Sequence, residues 1–261
     1  MRRHPQQRTH AQPPYRLLPP SQRTLPTTII MPNNHNTWAK YYDEVNRECF
    51  GTHYDQLTDL TLKEIEKLGV GLSIIDYGAG TGRLSIPLSE KNNVIAVEPS
   101  DAMLNQLKIK DNISRLISVH SSIQEYTSPV KNDLALVLFT VISYIITEDE
   151  LRVSFQNVAD SLKPGGRLLI DVPQEILFRN TFRETNILRR DIKFTKLGNG
   201  VYEYSENTKI RDYNYTDTFK LRLWSTTELQ SALEVAGLEI EKDLSSNFPM
   251  AGAYYWLCRK K

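Results

Sequence analysis

The chain has 261 residues, 24% of them charged and 40% hydrophobic, with a net charge of +1 at pH 7. That length suits one α/β domain with insertions, in which about 70 to 75% of the unfolded surface can be buried. No apolar run reaches the roughly 18 residues of a membrane helix, and Cys49 and Cys258 have neither disulfide-framework nor zinc-site spacing; we expect no membrane partner, no metal and a cytoplasmic location.

Residues 1–36 are rich in proline, glutamine, arginine, threonine and asparagine and show no helical or strand period, so a disordered extension is expected there. Met31 offers an internal start that would leave residues 1–30 without a role. Residues 1–42 hold six basic residues and no acid, which leaves 26 basic against 31 acidic residues, a net of −5, for the rest. A basic groove for nucleic acid is therefore not expected. Residues 37–261 read as one domain. Order is predicted from about Trp38, followed by two helices. The second runs from about Tyr54 to Leu68, where Leu57, Leu60, Ile65 and Leu68 recur at helical intervals.

Next comes a short apolar run ending in an acid and opening into three glycines, Ile74-Ile75-Asp76-Tyr77-Gly78-Ala79-Gly80-Thr81-Gly82-Arg83. It reads as a buried strand, a tight loop and a helix start, where free N–H groups and the helix dipole would meet an anionic part of a ligand. The dinucleotide fingerprint Gly-x-Gly-x-x-Gly would need glycine at 83, where arginine stands. An NAD-dependent oxidoreductase is thus a disfavoured alternative. A second strand, Asn93 to Val97, ends at Glu98 and Pro99, roughly 20 residues past the loop, where nucleotide-binding βαβ units keep a ribose-binding carboxylate.

Helices are predicted over Arg83 to Glu90 and over Ser100 to Lys108, the latter capped by Ser100 or Asp101, with a strand from Leu116 to His120. A strand from Asp133 then runs into a loop with Phe139, Thr140 and Tyr144 at its mouth, and Thr147-Glu148-Asp149-Glu150 is a capping box. A fifth strand follows Lys163-Pro164-Gly165-Gly166 and carries Asp171 at its carboxyl end. Residues 174–224 form a β-rich insertion whose tyrosines alternate with period two around Gly198-Asn199-Gly200, expected to act as a lid. A capped helix from Ser225, a strand at Glu239 to Lys242 and a last strand within Ala251 to Cys258 complete the chain. Alternating strands and helices place a ligand at the carboxyl ends of a parallel sheet.

The Asp-x-Gly-x-Gly-x-Gly loop, Glu98 and the Lys-Pro-Gly-Gly stretch together resemble the class I S-adenosylmethionine-dependent methyltransferases, over about residues 37–258. The segment Leu138 to Tyr144 carries no Asn/Asp-Pro-Pro-aromatic motif of enzymes that methylate nucleic-acid bases, and resembles small-molecule types instead. The resemblance implies a Rossmann-like, seven-stranded, mostly parallel sheet with an antiparallel last strand, helices on both faces, and S-adenosylmethionine as cofactor. It implies that Asp76, Gly78, Ala79, Gly80 and Gly82 cradle the methionine part, that Glu98 with Pro99 takes the ribose, and that Phe139 lies at the mouth. Ser122 stands where the family often has an acid for the adenine amino group, with the Ile123 N–H for the ring nitrogen. Tyr42, with Tyr41 as the spare, is the candidate for the tyrosine that closes over the cofactor. Methyl transfer to an amine or hydroxyl of a small molecule is the implied reaction, and Asp171, Tyr144 and His120 are the candidates for a base. A fold that binds cofactor or a partner without turnover is the other alternative.

Overall fold

The computed structural model describes residues 35–111, 115–249 and 251–261. The expected disordered extension falls outside the described residues except at its last two positions, and these are packed into the fold. The His35 N–H donates to Asp217 Oδ2 at 2.9 Å, and Asn36 Oδ1 accepts from Ser100 Oγ at 2.6 Å. The folded part therefore includes residues before 37. Their polar sequence has no period to betray them, because what holds them is tertiary.

Two helices, α1 (Tyr42–Phe50) and α2 (Thr52–Glu66), precede β1 (Ser73–Tyr77). The chain then alternates through α3 (Ser85–Leu88), β2 (Asn93–Glu98), α4 (Asp101–Lys110), β3 (Ile117–His120), β4 (Asn132–Val137), α5 (Glu148–Ser161) and β5 (Leu162–Pro173). The insertion supplies β6 (Thr181–Glu184), β7 (Leu188–Gly198), β8 (Val201–Ile210) and β9 (Tyr213–Arg222), after which α6 (Thr226–Val235), β10 (Leu238–Asp243) and β11 (Ala253–Lys260) close the fold.

The main sheet has the order β10-β11-β5-β4-β1-β2-β3, with β11 antiparallel to both of its neighbours and the other strands parallel to one another. This is the expected architecture. The central strands are buried on both faces, so they read as continuous apolar runs. Ile74, Leu134, Leu136 and Leu169 pack one way with Ile65 and Leu88, while Ile75, Tyr77, Val137 and Ile170 pack the other way with Phe155 and Leu229. The insertion is a separate antiparallel sheet, β6-β7-β8-β9. Along β8 the residues Tyr202, Tyr204, Glu206, Thr208 and Ile210 are buried, every second one, so one face of the lid is a core face.

Local chemistry sets the element ends. Ser100 caps α4 by accepting from Met103 N–H, and both Thr147 and Ser225 form complete capping boxes, with Glu150 and Glu228. The helix expected over 83–90 is only four residues long. Ile86, Leu88 and Ser89 make their bonds to residues four back, at 3.0 Å each, but Pro87 has no N–H to offer Arg83 and the ladder is cut there.

Candidate functional site

The glycine loop leaves β1 and folds back over β2: the N–H groups of Gly78 and Ala79 both donate to the Val97 carbonyl, at 2.8 and 3.1 Å. Gly78 has φ +75°, and a Cβ there would come within 2.3 Å of Val141 Cγ2, so the turn cannot carry a side chain. Gly80, at φ +57°, is the opposite case. A Cβ there would meet nothing within 4 Å, which leaves open space above the loop for a ligand.

Glu98, at the end of β2, ties that loop to the next helix. One carboxylate oxygen accepts from Gly80 N–H and the other from Ser100 N–H, each at 2.8 Å. Burial pushes its carboxyl above the usual glutamate range against the pull of those two bonds. Each oxygen keeps a lone pair for a further donor. Asp76 is turned into α3, where Ser85 Oγ donates to it at 2.5 Å, and burial raises its carboxyl to about 7.

Arg83 and Asp43 hold the N-terminal helices onto the loop. The Arg83 guanidinium lies 3.8 Å from the Tyr54 ring centroid and 4.0 Å from that of Phe139, and its Nε donates to Thr58 Oγ1 at 2.6 Å. Asp43 accepts from Thr81 Oγ1 at 3.0 Å and from Tyr54 OH at 2.9 Å, and pairs with Lys110. In the sequence, Arg83 stands out only as a missing glycine and Asp43 not at all.

An aromatic wall is built from the stretch before α1, the loop after β4 and the lid. Tyr42 stacks on Trp38 at 5.0 Å, and Trp38 stacks on Tyr215 of the lid at 5.2 Å, with planes 7° apart. The His35 ring packs edge-on against Trp38, Tyr42, Tyr144 and Phe219 at 5.1 to 5.9 Å, and its Nε2 is 2.7 Å from Tyr144 OH. The structure brings Tyr42 and Tyr144 together here, and burial raises both phenols, so both stay protonated at neutral pH. Tyr41 packs at the margin of the Trp38–Tyr215 cluster, its ring against Tyr213.

Two of the three expected bases are otherwise engaged. Both Asp171 oxygens take the Thr140 N–H, at 3.0 and 3.2 Å, and burial raises the carboxyl to about 7. This bond holds Phe139 and Thr140 at φ +60° and +67°, a left-handed pair that costs of order 1 kcal/mol or more at each non-glycine residue. Asp171 thus positions the loop that carries Tyr144. His120 is exposed at the end of the edge strand, paired in register with Glu98, and its Nε2 contacts the Pro99 carbonyl at 2.9 Å. It fixes the turn after Glu98. Ser122 donates to Glu125 Oε2 at 3.2 Å, and the Ile123 carbonyl accepts from Asn157 Nδ2 at 2.9 Å.

The model of the methyltransferase domain family matches residues 74–166, from the first strand through the Pro-Gly-Gly stretch. That match covers part of the chain and identifies a methyltransferase domain there. YqeM of Bacillus subtilis, a protein named as a methyltransferase, is 23% identical over 219 residues, or 78% of this chain and 86% of that one. Among solved structures, an S-adenosylmethionine-dependent methyltransferase from Clostridium acetobutylicum superposes with a TM-score of 0.74 at 18% identity, covering 87% of this chain and 98% of that one. CalS10, an amino pentose methyltransferase from Micromonospora echinaspora, superposes at 0.69 and 18% identity, over 84% and 96%. The CalS10 structure holds S-adenosylmethionine. The residues fit it, since Gly80 leaves the space and Glu98 the acceptors.

Proposed function

We propose that this methyltransferase transfers a methyl group to an amine or hydroxyl of a small molecule. The observation that carries the reading is Glu98, which holds Gly80 in its open conformation while keeping acceptor capacity for a ribose diol, beneath a wall of aromatic side chains. When bound, S-adenosylmethionine supplies a methyl group on a sulfonium, already a good leaving group, so positioning does most of the work asked of the protein. The Gly78–Gly82 loop would hold the methionine part. Glu98 would accept from the ribose hydroxyls, with charge-assisted bonds about twice as strong as neutral ones.

Ser122 recognises the adenine edge together with Glu125. The hydroxyl already donates to that carboxylate, so an acid reaches the place where the family pattern has one, three residues later in sequence. The faces of Tyr42 and Tyr144 exclude water and attract the sulfonium, worth about 1 kcal/mol or more when desolvated. The loop after β4 carries no Asn/Asp-Pro-Pro-aromatic motif of nucleic-acid base methylation, and CalS10, an amino pentose methyltransferase by its name, supports a small acceptor.

Calorimetric titration with S-adenosylmethionine, S-adenosylhomocysteine and NAD tests the cofactor site. The two adenosyl ligands should bind and NAD should not. Glu98→Gln leaves either Gly80 or Ser100 without its acceptor and should weaken S-adenosylhomocysteine by about 1.5 to 3 kcal/mol, the loss for a bond to a charged group. Unchanged affinity in that variant would remove Glu98 from the site. Mass spectrometry of amine and alcohol panels incubated with S-adenosylmethionine then reads turnover, and bound cofactor with no methylated product from any panel would favour a binding protein.

A further inference from the structure

Resting on the methyl-transfer reading, we propose that His35, Tyr144 and Asp217 form the acceptor subsite, and that it receives an amine arriving as an ammonium ion. Three separate segments converge to make it: the stretch before α1, the loop after β4, and lid strand β9. His35 Nε2 is 2.7 Å from Tyr144 OH, and Asp217 takes both the His35 backbone N–H and Trp38 Nε1, at 2.9 and 3.1 Å. His35 Nδ1 is buried without a hydrogen bond among the described residues, 3.5 Å from Asp217 Oδ2. Buried polar atoms are seldom left so. The next residue, Asn36, contacts Ser100, two positions beyond Glu98, so the subsite adjoins the ribose end of the cofactor cradle.

The surroundings select a cation. Asp217 stays ionised because the bonds from His35 and Trp38 outweigh its burial, which alone would raise it. Glu98 lies close enough to feel the imidazole charge, and Tyr144 feels Tyr42, Asp217, Glu98 and Glu206. Of the two guanidiniums that act on Tyr42, Arg83 is spent on the Tyr54 and Phe139 rings, and Arg190 sits behind Trp38, paired with Glu206. Rings of Tyr42, Tyr144 and Phe219 present faces and edges around the histidine.

This arrangement also gives the surplus proton a place to go. The ammonium N–H breaks as Tyr144 Oη gains that proton, and the phenol's own proton passes to His35 Nε2. The amine is left neutral with its lone pair free, and the positive charge rests on an imidazolium facing Asp217. A phenol whose pKa burial has raised suits this relay, since it never has to remain ionised.

Sinefungin tests the subsite without knowledge of the acceptor, because it is an adenosyl analogue with a carbon in place of the sulfonium sulfur and an amino group where the methyl would be. We expect the full chain to bind sinefungin at least tenfold more tightly than S-adenosylhomocysteine at pH 7.5, a ratio of the order set by one charge-assisted bond. Tyr144→Phe and Asp217→Asn should bring that ratio to about one while S-adenosylhomocysteine affinity moves little. A wild-type ratio near one, or variants that weaken both ligands alike, would show a wall that only packs and would overturn the proposal. Binding of neither ligand by the wild type would instead overturn the cofactor reading beneath it.

Discussion

Asp76 and Asp171 are both carboxyls that burial pushes to about 7; Asp76 accepts from Ser85 of α3, and Asp171 from the Thr140 N–H of the loop after β4. Unfolded, each releases its proton near the ordinary aspartate value of 3.8. Between about pH 4 and 7 the folded state therefore binds protons that the unfolded state has lost, so their contribution to stability falls as pH rises through that window. At about 1.4 kcal/mol per pKa unit the effect has an upper bound of roughly 4 kcal/mol for each group. Asp171→Asn keeps an oxygen for the Thr140 N–H but cannot ionise. We expect urea denaturation to find it more stable than the wild type by roughly 1 to 3 kcal/mol at pH 8, and by much less at pH 5. An equal difference at the two pH values would remove the titration argument. The position of Asp171 at a strand end was legible in the sequence, but its task was not, because the Thr140 amide it holds lies 31 residues away. His35 was hidden for the same reason: a polar residue in an aperiodic stretch shows nothing until its partners on β9 and the β4 loop are in place.

At the scale of elements, the lid is held by a charge inside its core face. Arg190 on β7 makes a two-pronged pair with Glu206 on β8, at 2.8 and 2.9 Å, and Glu206 also accepts from Tyr215 at 2.6 Å, Thr208 at 2.7 Å and Tyr204. Burial alone would raise Glu206, but these partners hold it below the usual range. Its stabilisation is therefore present above the ordinary glutamate pKa and is lost as pH falls through the lowered one. Glu206→Leu strands the arginine, and we expect a loss of about 3 to 5 kcal/mol in urea denaturation, most of it recovered when Arg190→Met is added. No recovery in the double variant would mean that the tyrosine and threonine bonds, not the ion pair, carry the lid. The same pair explains why β6 and β7 escaped the sequence pattern. Arg189, Arg190, Asp191 and Lys193 interrupt the alternation that made β8 and β9 visible, and an arginine on the inner face breaks the apolar rule outright. The central strands had no such interruption, and their runs, caps and glycines all pointed one way.

For the whole molecule, the stretch from His35 through α1 touches the glycine loop, α4 with its Ser100 cap, and the lid together. Asp43 reaches Thr81 and Lys110, Asn36 reaches Ser100, and His35 and Trp38 reach Asp217. A ligand that orders the loop should thus order the lid through it, since local opening of any of the three breaks contacts of the other two. At 100 times its dissociation constant, S-adenosylhomocysteine should stabilise the fold by about 2.7 kcal/mol. We expect native-state hydrogen exchange to show that this gain is not confined to the cradle: amides of residues 41–50 and of β9 should slow along with those of residues 78–100. In Asp43→Ala, which unties α1 from Thr81, Tyr54 and Lys110 but leaves Glu98 and Gly80 as they are, slowing should persist in residues 78–100 and fade in α1 and β9. Protection limited to the cradle in the wild type would mean that lid and cofactor site open independently. The N-terminal stretch would then be only a packed cover, and the acceptor's entry would be set by the lid alone.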